Sequence, residues 1–489
     1  MATNEFETPR HRIIIASTVG TTIEFFDFYI YATAAVSVFP LLFFPAGDGS
    51  TALLASMATF GVAFVARPIG SLLFGHFGDR AGRKATLLGS LLLMGLATFA
   101  IGLLPTYHQI GLFAPALLAL LRFCQGLGLG GEWSGAALLA TETAEKGKRA
   151  QAAMWPQLGA PFGFILANGF FLLLTFWFQY DSKATSLDDP FLVWGWRIPF
   201  LLSIFMVLVG LYVRLKLRET PVFAHAVERG EKLKFPLVKL FRHDYKELIL
   251  GTFIMLATYG LFYLMTTWIL SYAIGSVRLG FLGIGYRDFL ILQLISVLWF
   301  AAMIPLSGRL ADRFGRRAFL LVVTAGIIFF GFAFGWFLAP EVMRTGEESN
   351  QWLMLTFLSI GMGLMGLTFG PMSALLPELF PTNRRYSGSG VAYNFSSILG
   401  AALTPFVAAW LARDHGAWAV GLYLVMLASM TFIALLLSKE TQHRDLHTME
   451  DEATIKTLAA QTEGARRFVG DKPIRQVIYA KGRLVNIVI

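Results

Sequence analysis

The ten residues GHFGDRAGRK at positions 75–84 return as GRLADRFGRR at positions 308–317. Both copies read G-x-x-x-D-R-x-G-R-[RK], and each closes a long apolar run. A second echo follows each copy. ALLATE ends at Glu142 and precedes Arg149, while ALLPE ends at Glu378 and precedes Arg385. The spacing between first and second motif is nearly the same in both places. The chain is therefore two copies of one unit in the same orientation, an arrangement of parallel repeats around a shared midplane site. Gly82 and Gly315 provide the backbone for a tight two-residue turn. Asp79 and Asp312 sit where a bare charge beside the membrane is costly, so each needs a cation or a helix N-terminus. Arg149 and Arg385 are the candidate cations. Solvated turn charges are the alternative reading, and recurrence at matching positions argues against it.

Composition says what the repeated unit is made of. Of 489 residues, 56% are hydrophobic and only 15% charged; soluble domains carry about 25% charged residues. Mean hydropathy is +0.62. Gly is abundant, which suits closely packed membrane helices. Stretches of about 20 apolar residues cross a bilayer as helices. They fall near 13–43, 52–76, 86–104, 112–140, 152–178 and 195–215, then near 248–275, 288–308, 318–339, 352–376, 387–411 and 416–438. The expected fold is an all-α membrane protein of about twelve transmembrane helices in two six-helix pseudo-symmetric halves. Gly-rich stretches at 126–135 and 361–370 read as close helix packing.

Charge orients the bundle. Arg80, Arg83, Lys84, Lys146, Lys148, Arg149, Arg313, Arg316, Arg317, Arg384 and Arg385 share one side. Asp181, Asp188, Asp189, Glu341, Glu347 and Glu348 lie on the other. The positive-inside rule accounts for the net charge of +9 better than nucleic-acid binding does, and it puts both termini in the cytoplasm. The divisions read as a cytoplasmic N-terminus (1–12), a first bundle (13–215), a basic central loop (216–246), a second bundle (247–438) and a cytoplasmic tail (439–489). The central loop suits a short surface helix, and 446–460 suits one short helix. No short apolar stretch with a small-residue cleavage site opens the chain, so no removable signal peptide is expected.

Several chemistries find no support. A lone cysteine, Cys124, forms neither an internal disulfide nor a Cys zinc site. His76 and His243 sit at loop edges, and no His cluster suggests a metal. No nucleophile–base pair or phosphate loop stands out, so an enzyme is not expected.

The repeated loop motif resembles the signature of the major facilitator superfamily over about residues 10–440. The resemblance implies that clusters around Asp79 and Asp312 latch the cytoplasmic side in the outward-facing state, with Gly75, Arg80, Gly82, Arg83, Glu142 and Arg149 in one cluster and Arg313, Gly315, Arg316, Glu378 and Arg385 in the other. Further stretches narrow the family: EFFDFYIY at 24–31, FVARPIG at 64–70, RFCQG at 122–126, GGEW at 130–133, WGWRIPF at 194–200 and RETPVF at 218–223. Together they look like the metabolite:proton symporter family, which imports osmolytes such as proline and betaine and carboxylates such as 2-oxoglutarate, citrate and shikimate. That family usually has Trp where this chain has Phe25. Sugar porters share the segment after the sixth span but lack the paired acids and GGEW, so the resemblance points away from a sugar. It implies a bacterial inner-membrane monomer, with a small-molecule substrate and the lipid bilayer as partners and no cofactor beyond the coupling proton.

Charges inside the spans carry the chemistry, since each costs about 2.5–3.5 kcal/mol by insertion scales. Glu24 and Asp27 share one helical face. Like charges so close resist joint ionisation, which makes them candidate proton sites; a static ion pair with Arg67 or Arg122 is the structural alternative. Glu132 is either a second proton station or a partner for nearby cations. Arg122, with Gln125 one turn on, is the candidate clamp for a substrate carboxylate through its planar fork, or the cation that releases a proton from Glu24 or Asp27 by competing for it. Arg67 fits the same part or a helix-end role before Pro68. Tyr31, Tyr259, Tyr263, Gln293, Tyr393 and Asn394 are the uncharged candidates for substrate contact, with packing as the alternative for the tyrosines. The expected function is import of a small carboxylate or zwitterion coupled to proton symport by alternating access. Export is the first alternative, since GAPFG at 159–163 partly matches a drug-antiporter motif. A transporter-like sensor is the second.

Overall fold

The computed structural model describes residues 10–45, 49–81, 83–130, 133, 137, 140–141, 144, 147–180, 186–215, 236–380, 385–442, 462, 465, 469, 476–480 and 484–488, with the side chains of 10–13, 16, 49–50, 75–87, 213–214, 236–239, 279 and 385–386 left aside. Twelve long helices make up the fold. In the first half they are α1 (Arg10–Ser37), α2 (Gly49–Ala81), α3 (Arg83–Gly102), α4 (Phe113–Leu129), α5 (Arg149–Trp177) and α6 (Arg197–Leu215). The second half has α7 (Tyr245–Ile274), α8 (Tyr286–Phe314), α9 (Arg316–Phe337), α10 (Gln351–Glu378), α11 (Ser387–His415) and α12 (Ala417–Leu437). Nine of them are long and apolar enough to cross a bilayer, and shorter apolar stretches in α3 and α4 join them. Beyond α12, β1 (Gln476–Ala480) and β2 (Leu484–Val488) pair antiparallel. The sequence reading assigned no element to this stretch, and the short helix it expected at 446–460 lies outside the described residues.

The repeat read from the sequence governs the packing. In the first half α1 packs on α5, α2 on α4 and α3 on α6. Six helices later α7 packs on α11, α8 on α10 and α9 on α12. The halves meet through α5 against α8 and α10, and through α2 against α11. Small residues let these helices touch. A Cβ on Gly126 would overlap the Ala63 backbone, and one on Gly70 the Leu127 backbone, so α2 and α4 are in main-chain contact. Gly331 and Gly421 do the same for α9 and α12.

The expected two-residue turn of the second motif is a single residue. α8 ends at Phe314 and α9 begins at Arg316, with Gly315 between them at φ +93°, a backbone conformation that side chains disfavour. Asp312 therefore lies in the last turn of α8. In the first copy α2 ends at Ala81 and α3 begins at Arg83, and Gly82 lies outside the described residues. The WGWRIPF stretch is structural. Arg197 donates to the carbonyls of Gly102 and Leu104 at 2.9 and 2.6 Å, satisfying acceptors at the end of α3.

The outer surface is apolar. Trp177 and Trp352 are 82% and 81% exposed. With Trp194, Trp336 and Trp418, also exposed, they sit at helix ends on the side opposite the loop motifs. A ring of tryptophans at one level is the mark of a membrane–water interface.

Gly126→Val should destabilise the first half by about 1–3 kcal/mol, the cost of overpacking. Gly169→Val, where a Cβ meets nothing within 4 Å, should be near neutral. Thermal unfolding in detergent measures both; equal midpoints would show that the α2–α4 contact does not limit stability.

Candidate functional site

Aromatic rings close the centre of the molecule. Phe25, Arg67, Thr258, Tyr259, Phe262, Tyr263, Phe369 and Tyr393 line a cavity so tight that it has room for no more than about one water molecule. Phe25 meets Phe262 at 5.8 Å and Phe369 at 6.1 Å, so α1 touches α7 and α10 across the two halves. Tyr263 reaches Phe64 at 5.2 Å, and Trp133 stacks on Tyr393 at 3.8 Å with an interplanar angle of 6°.

Arg67 is the one charged residue in that lining. Its Nη2 donates to Glu24 Oε1 at 3.0 Å, and both side chains are nearly inaccessible. The guanidinium lies over Phe28 at 4.6 Å and Phe64 at 5.2 Å. Removing one partner of such a buried pair strands the other charge, at a cost of about 3–5 kcal/mol. Pro68 lies inside α2, which runs on to Ala81, so Arg67 does not end a helix.

Arg122 has a different position from the one its spacing suggested. It pairs directly with neither Glu24 nor Asp27, and it is absent from the cavity lining. Its Nε points to Phe60 O at 3.4 Å and its Nη1 donates to Gln125 Oε1. The guanidinium sits 4.0 Å over the Tyr31 ring and within about 5 Å of Phe28 and Phe60. In a desolvated site each such contact is worth up to about 2 kcal/mol. Gln125 Nε2 donates to Thr98 Oγ1 at 2.9 Å, and Thr98 Oγ1 lies 3.1 Å from Asp27 Oδ2 and 3.0 Å from Met94 O. The hydroxyl has one hydrogen, so it donates to the carboxylate or to the carbonyl, not both. Asp27 is fully buried, and its Oδ1 has no hydrogen-bond partner among the described residues. The chain Arg122–Gln125–Thr98–Asp27 thus links the arginine to the acid through two neutral groups.

The other candidates divide. Tyr259, Tyr263 and Tyr393 line the cavity; Tyr31, Gln125, Gln293 and Asn394 are buried outside its lining. Gln293 Nε2 donates to the carbonyls of Met265 and Thr266 at 3.2 and 3.3 Å. Those carbonyls belong to a π-helical turn, Leu264–Trp268, that interrupts α7. Gln293 therefore satisfies acceptors in the broken part of the helix. Glu132 lies outside the described residues.

Both ends of the pathway are shut. On the motif side Asp312 accepts from the backbone N–H of Ala150 and Gln151 at 3.1 and 3.0 Å, capping the N-terminus of α5. Arg316 Nη2 lies 2.9 Å from Asp312 and 3.3 Å from Glu378. Arg149, a candidate partner of Asp312 by sequence, instead faces Glu378 at 3.7 Å. Arg313 points outward, away from the cluster. In the first copy, Glu142 and the side chains of Gly75, Asp79, Arg80 and Arg83 are outside the described set, as is the side chain of Arg385 in the second. On the opposite side Arg287 donates to Thr175 O at 2.6 Å and Tyr286 to Ser37 Oγ at 3.3 Å. Sequence reading missed this second closure, and also Thr98, Phe262 and Phe369. Thr98 was visible as a polar residue in an apolar helix; nothing distinguished two phenylalanines among 45.

Comparison with known proteins gives the arrangement its context. The profile described as sugar (and other) transporter matches residues 13–453. The inner membrane metabolite transport protein YhjE of Escherichia coli K12 is 53% identical over 89% of this chain and 96% of its own length. The shikimate transporter of the same strain is 36% identical over 88% and 95%. The glycine betaine/proline/ectoine/pipecolic acid transporter OusA of Dickeya dadantii is 33% identical over 89% and 84%. In fold, the chain matches a solved structure of the proton:xylose symporter XylE with a TM-score of 0.67 at 16% identity, over 90% of this chain and 98% of that one. The chain is a multi-pass membrane transporter and belongs to the sugar (and other) transporter family of the major facilitator superfamily.

Proposed function

We propose that this transporter imports a small organic carboxylate or zwitterion together with protons, by alternating access across a bacterial inner membrane with both termini in the cytoplasm. The observation that carries the reading is a pair of carboxylates, Glu24 and Asp27, buried at mid-membrane beside a closed cavity and each tied to an arginine, one directly and one through a relay. A buried carboxylate that gains a proton releases its cation and loses its charge, so the halves can rock without dragging bare charge through lipid. The membrane potential adds about 2.3 kcal/mol per charge per 100 mV. The metabolite-transport relatives support a small polar cargo.

In this reading the Asp312–α5 cap and the Arg316–Glu378–Arg149 cluster hold the motif side shut. Hydrogen bonds to a charged group contribute about 1.5–3 kcal/mol each. The π-helical turns in α7 and α11 serve as the bending points; in α7, Gln293 holds the carbonyls of Met265 and Thr266 in place of the helix ladder.

Gradient-driven accumulation in proteoliposomes tests the proton sites. Glu24→Gln and Asp27→Asn should each lower accumulation to passive equilibration while leaving counterflow exchange measurable. Full accumulation in both variants would rule these carboxylates out. Thr98→Val should cut uptake by about tenfold, as expected for a buried carboxylate losing a bond worth ~1–3 kcal/mol, and Thr98→Ser should restore it. Equal uptake in the valine variant would make the relay incidental. Asp312→Asn should open the motif side: in a Cys124→Ser background, maleimide labelling of Ser373→Cys, buried against Ala153 O, should speed up by about tenfold. An unchanged labelling rate would remove Asp312 from the latch.

A further inference from the structure

We propose that Arg67 is the group on which Glu24 and a substrate carboxylate take turns, so that binding one carboxylate obliges Glu24 to accept one proton. The inference rests on the symport reading above and names the site and the cargo class within it.

Position comes first. Arg67 lines the cavity, and Arg122 does not. Arg122 too has a buried nitrogen, Nη2, without a hydrogen-bond partner among the described residues, but it stands off the cavity, held by the Phe60 carbonyl and Gln125 with its face on Tyr31. Arg67 spends Nη2 on Glu24, but its Nε is buried with no hydrogen-bond partner among the described residues. A guanidinium presents its donors as a planar fork suited to a second carboxylate. An incoming carboxylate therefore finds a cation with donor capacity to spare.

Charge balance then requires a proton. Arg67 and Glu24 sum to zero in a site walled by rings. Adding a substrate with a net charge of −1 leaves one excess negative charge in a dry interior, which is strongly unfavourable, whereas a zwitterion would bring its own balancing cation. If Glu24 detaches from Nη2 and takes a proton from the side on which the site is open, the sum returns to zero. The proton ends as the O–H of the Glu24 carboxyl group, and no covalent bond to substrate forms. On the other face the order reverses: Glu24 loses its proton, recovers Arg67 and expels the carboxylate.

The walls set the class of cargo. Phe25, Tyr259, Phe262, Tyr263, Phe369 and Tyr393 offer ring faces, and Thr258 a hydroxyl. The tyrosine and threonine hydroxyls can donate hydrogen bonds, but none of these residues carries a second positive charge to match a second carboxylate. Ring faces stack on a compact planar or cyclic body. The cargo is therefore a small solute with a single carboxylate and such a body, rather than a di- or tricarboxylate.

Purified full-length protein in weak buffer, titrated with shikimate and with benzoate as single-carboxylate anions and with 2-oxoglutarate and citrate as multivalent ones, decides the matter. Binding is read by tryptophan fluorescence and protons by an indicator dye. Wild type should bind a single-carboxylate probe and take up close to one proton per ligand. Glu24→Gln should bind with no proton uptake and with an affinity that no longer varies with pH. Arg67→Lys, which keeps the charge but not the fork, should weaken binding by about tenfold or more while keeping the proton count per bound ligand. Undiminished proton uptake in folded Glu24→Gln would overturn the exchange while leaving symport standing. Preference for 2-oxoglutarate or citrate, or failure of both single-carboxylate probes to bind, would overturn the cargo class. Binding to wild type without proton uptake, together with no accumulation on a proton gradient, would bring down the symport reading itself.

Discussion

A guanidinium in the middle of a bilayer has to be matched by an anion. Here two arginines stand at that depth, and they are matched in different ways. Arg67 holds Glu24 directly and borders the cavity; Arg122 rests on aromatic faces and reaches Asp27 only through Gln125 and Thr98. One arginine borders the cavity and the other stands outside its lining. Most of the surrounding architecture serves to keep these charges dry. The aromatic contacts of Phe25, Tyr29, Phe262 and Phe369 join the halves over them, and the main-chain contact of α2 with α4 brings Arg67 and Arg122 to neighbouring levels.

The two ends of the pathway are closed by different chemistry. On the motif side the closure is ionic: a carboxylate caps a helix N-terminus, and two arginines share Glu378. Such contacts are directional, so they either form in full or part. On the far side the closure rests on Tyr286 and Arg287 meeting a hydroxyl, a carbonyl and the Phe176 ring. With both ends shut around a small cavity, the conformation is an occluded one. The pseudo-twofold packing explains how a closed state of this kind opens to either side, since α5 against α8 and α2 against α11 are related contacts on opposite flanks.

The architecture was legible because it is written in long periods. Apolar runs, the DRxGR repeat and the charge asymmetry need no knowledge of contacts, and they yield twelve helices in two halves. The site was legible only as a list. Glu24, Asp27, Arg67 and Arg122 stand out because charge is rare in a span, but their pairing depends on helix rotation over three different helices. A residue or two of rotation decides whether Arg67 or Arg122 reaches Glu24, and spacing within one helix carries no such information. Gln293 looked like a substrate contact because it is polar, yet its amide is used by a break in α7 that only the fold reveals. Thr98 went unremarked because a threonine in a span usually bonds its own backbone; this one also lies within reach of Asp27 as an alternative acceptor.

The most direct measurement is the external pH of a lightly buffered suspension of proteoliposomes carrying the wild-type protein, recorded as proline, glycine betaine, 2-oxoglutarate, citrate and shikimate are added in turn. The account predicts alkalinisation outside the vesicles with at least one of the single-carboxylate solutes, abolished by a proton ionophore. Silence across the set from protein shown to be folded and inserted would contradict it, and would leave the buried carboxylates as structural ion pairs in a transporter driven by something else.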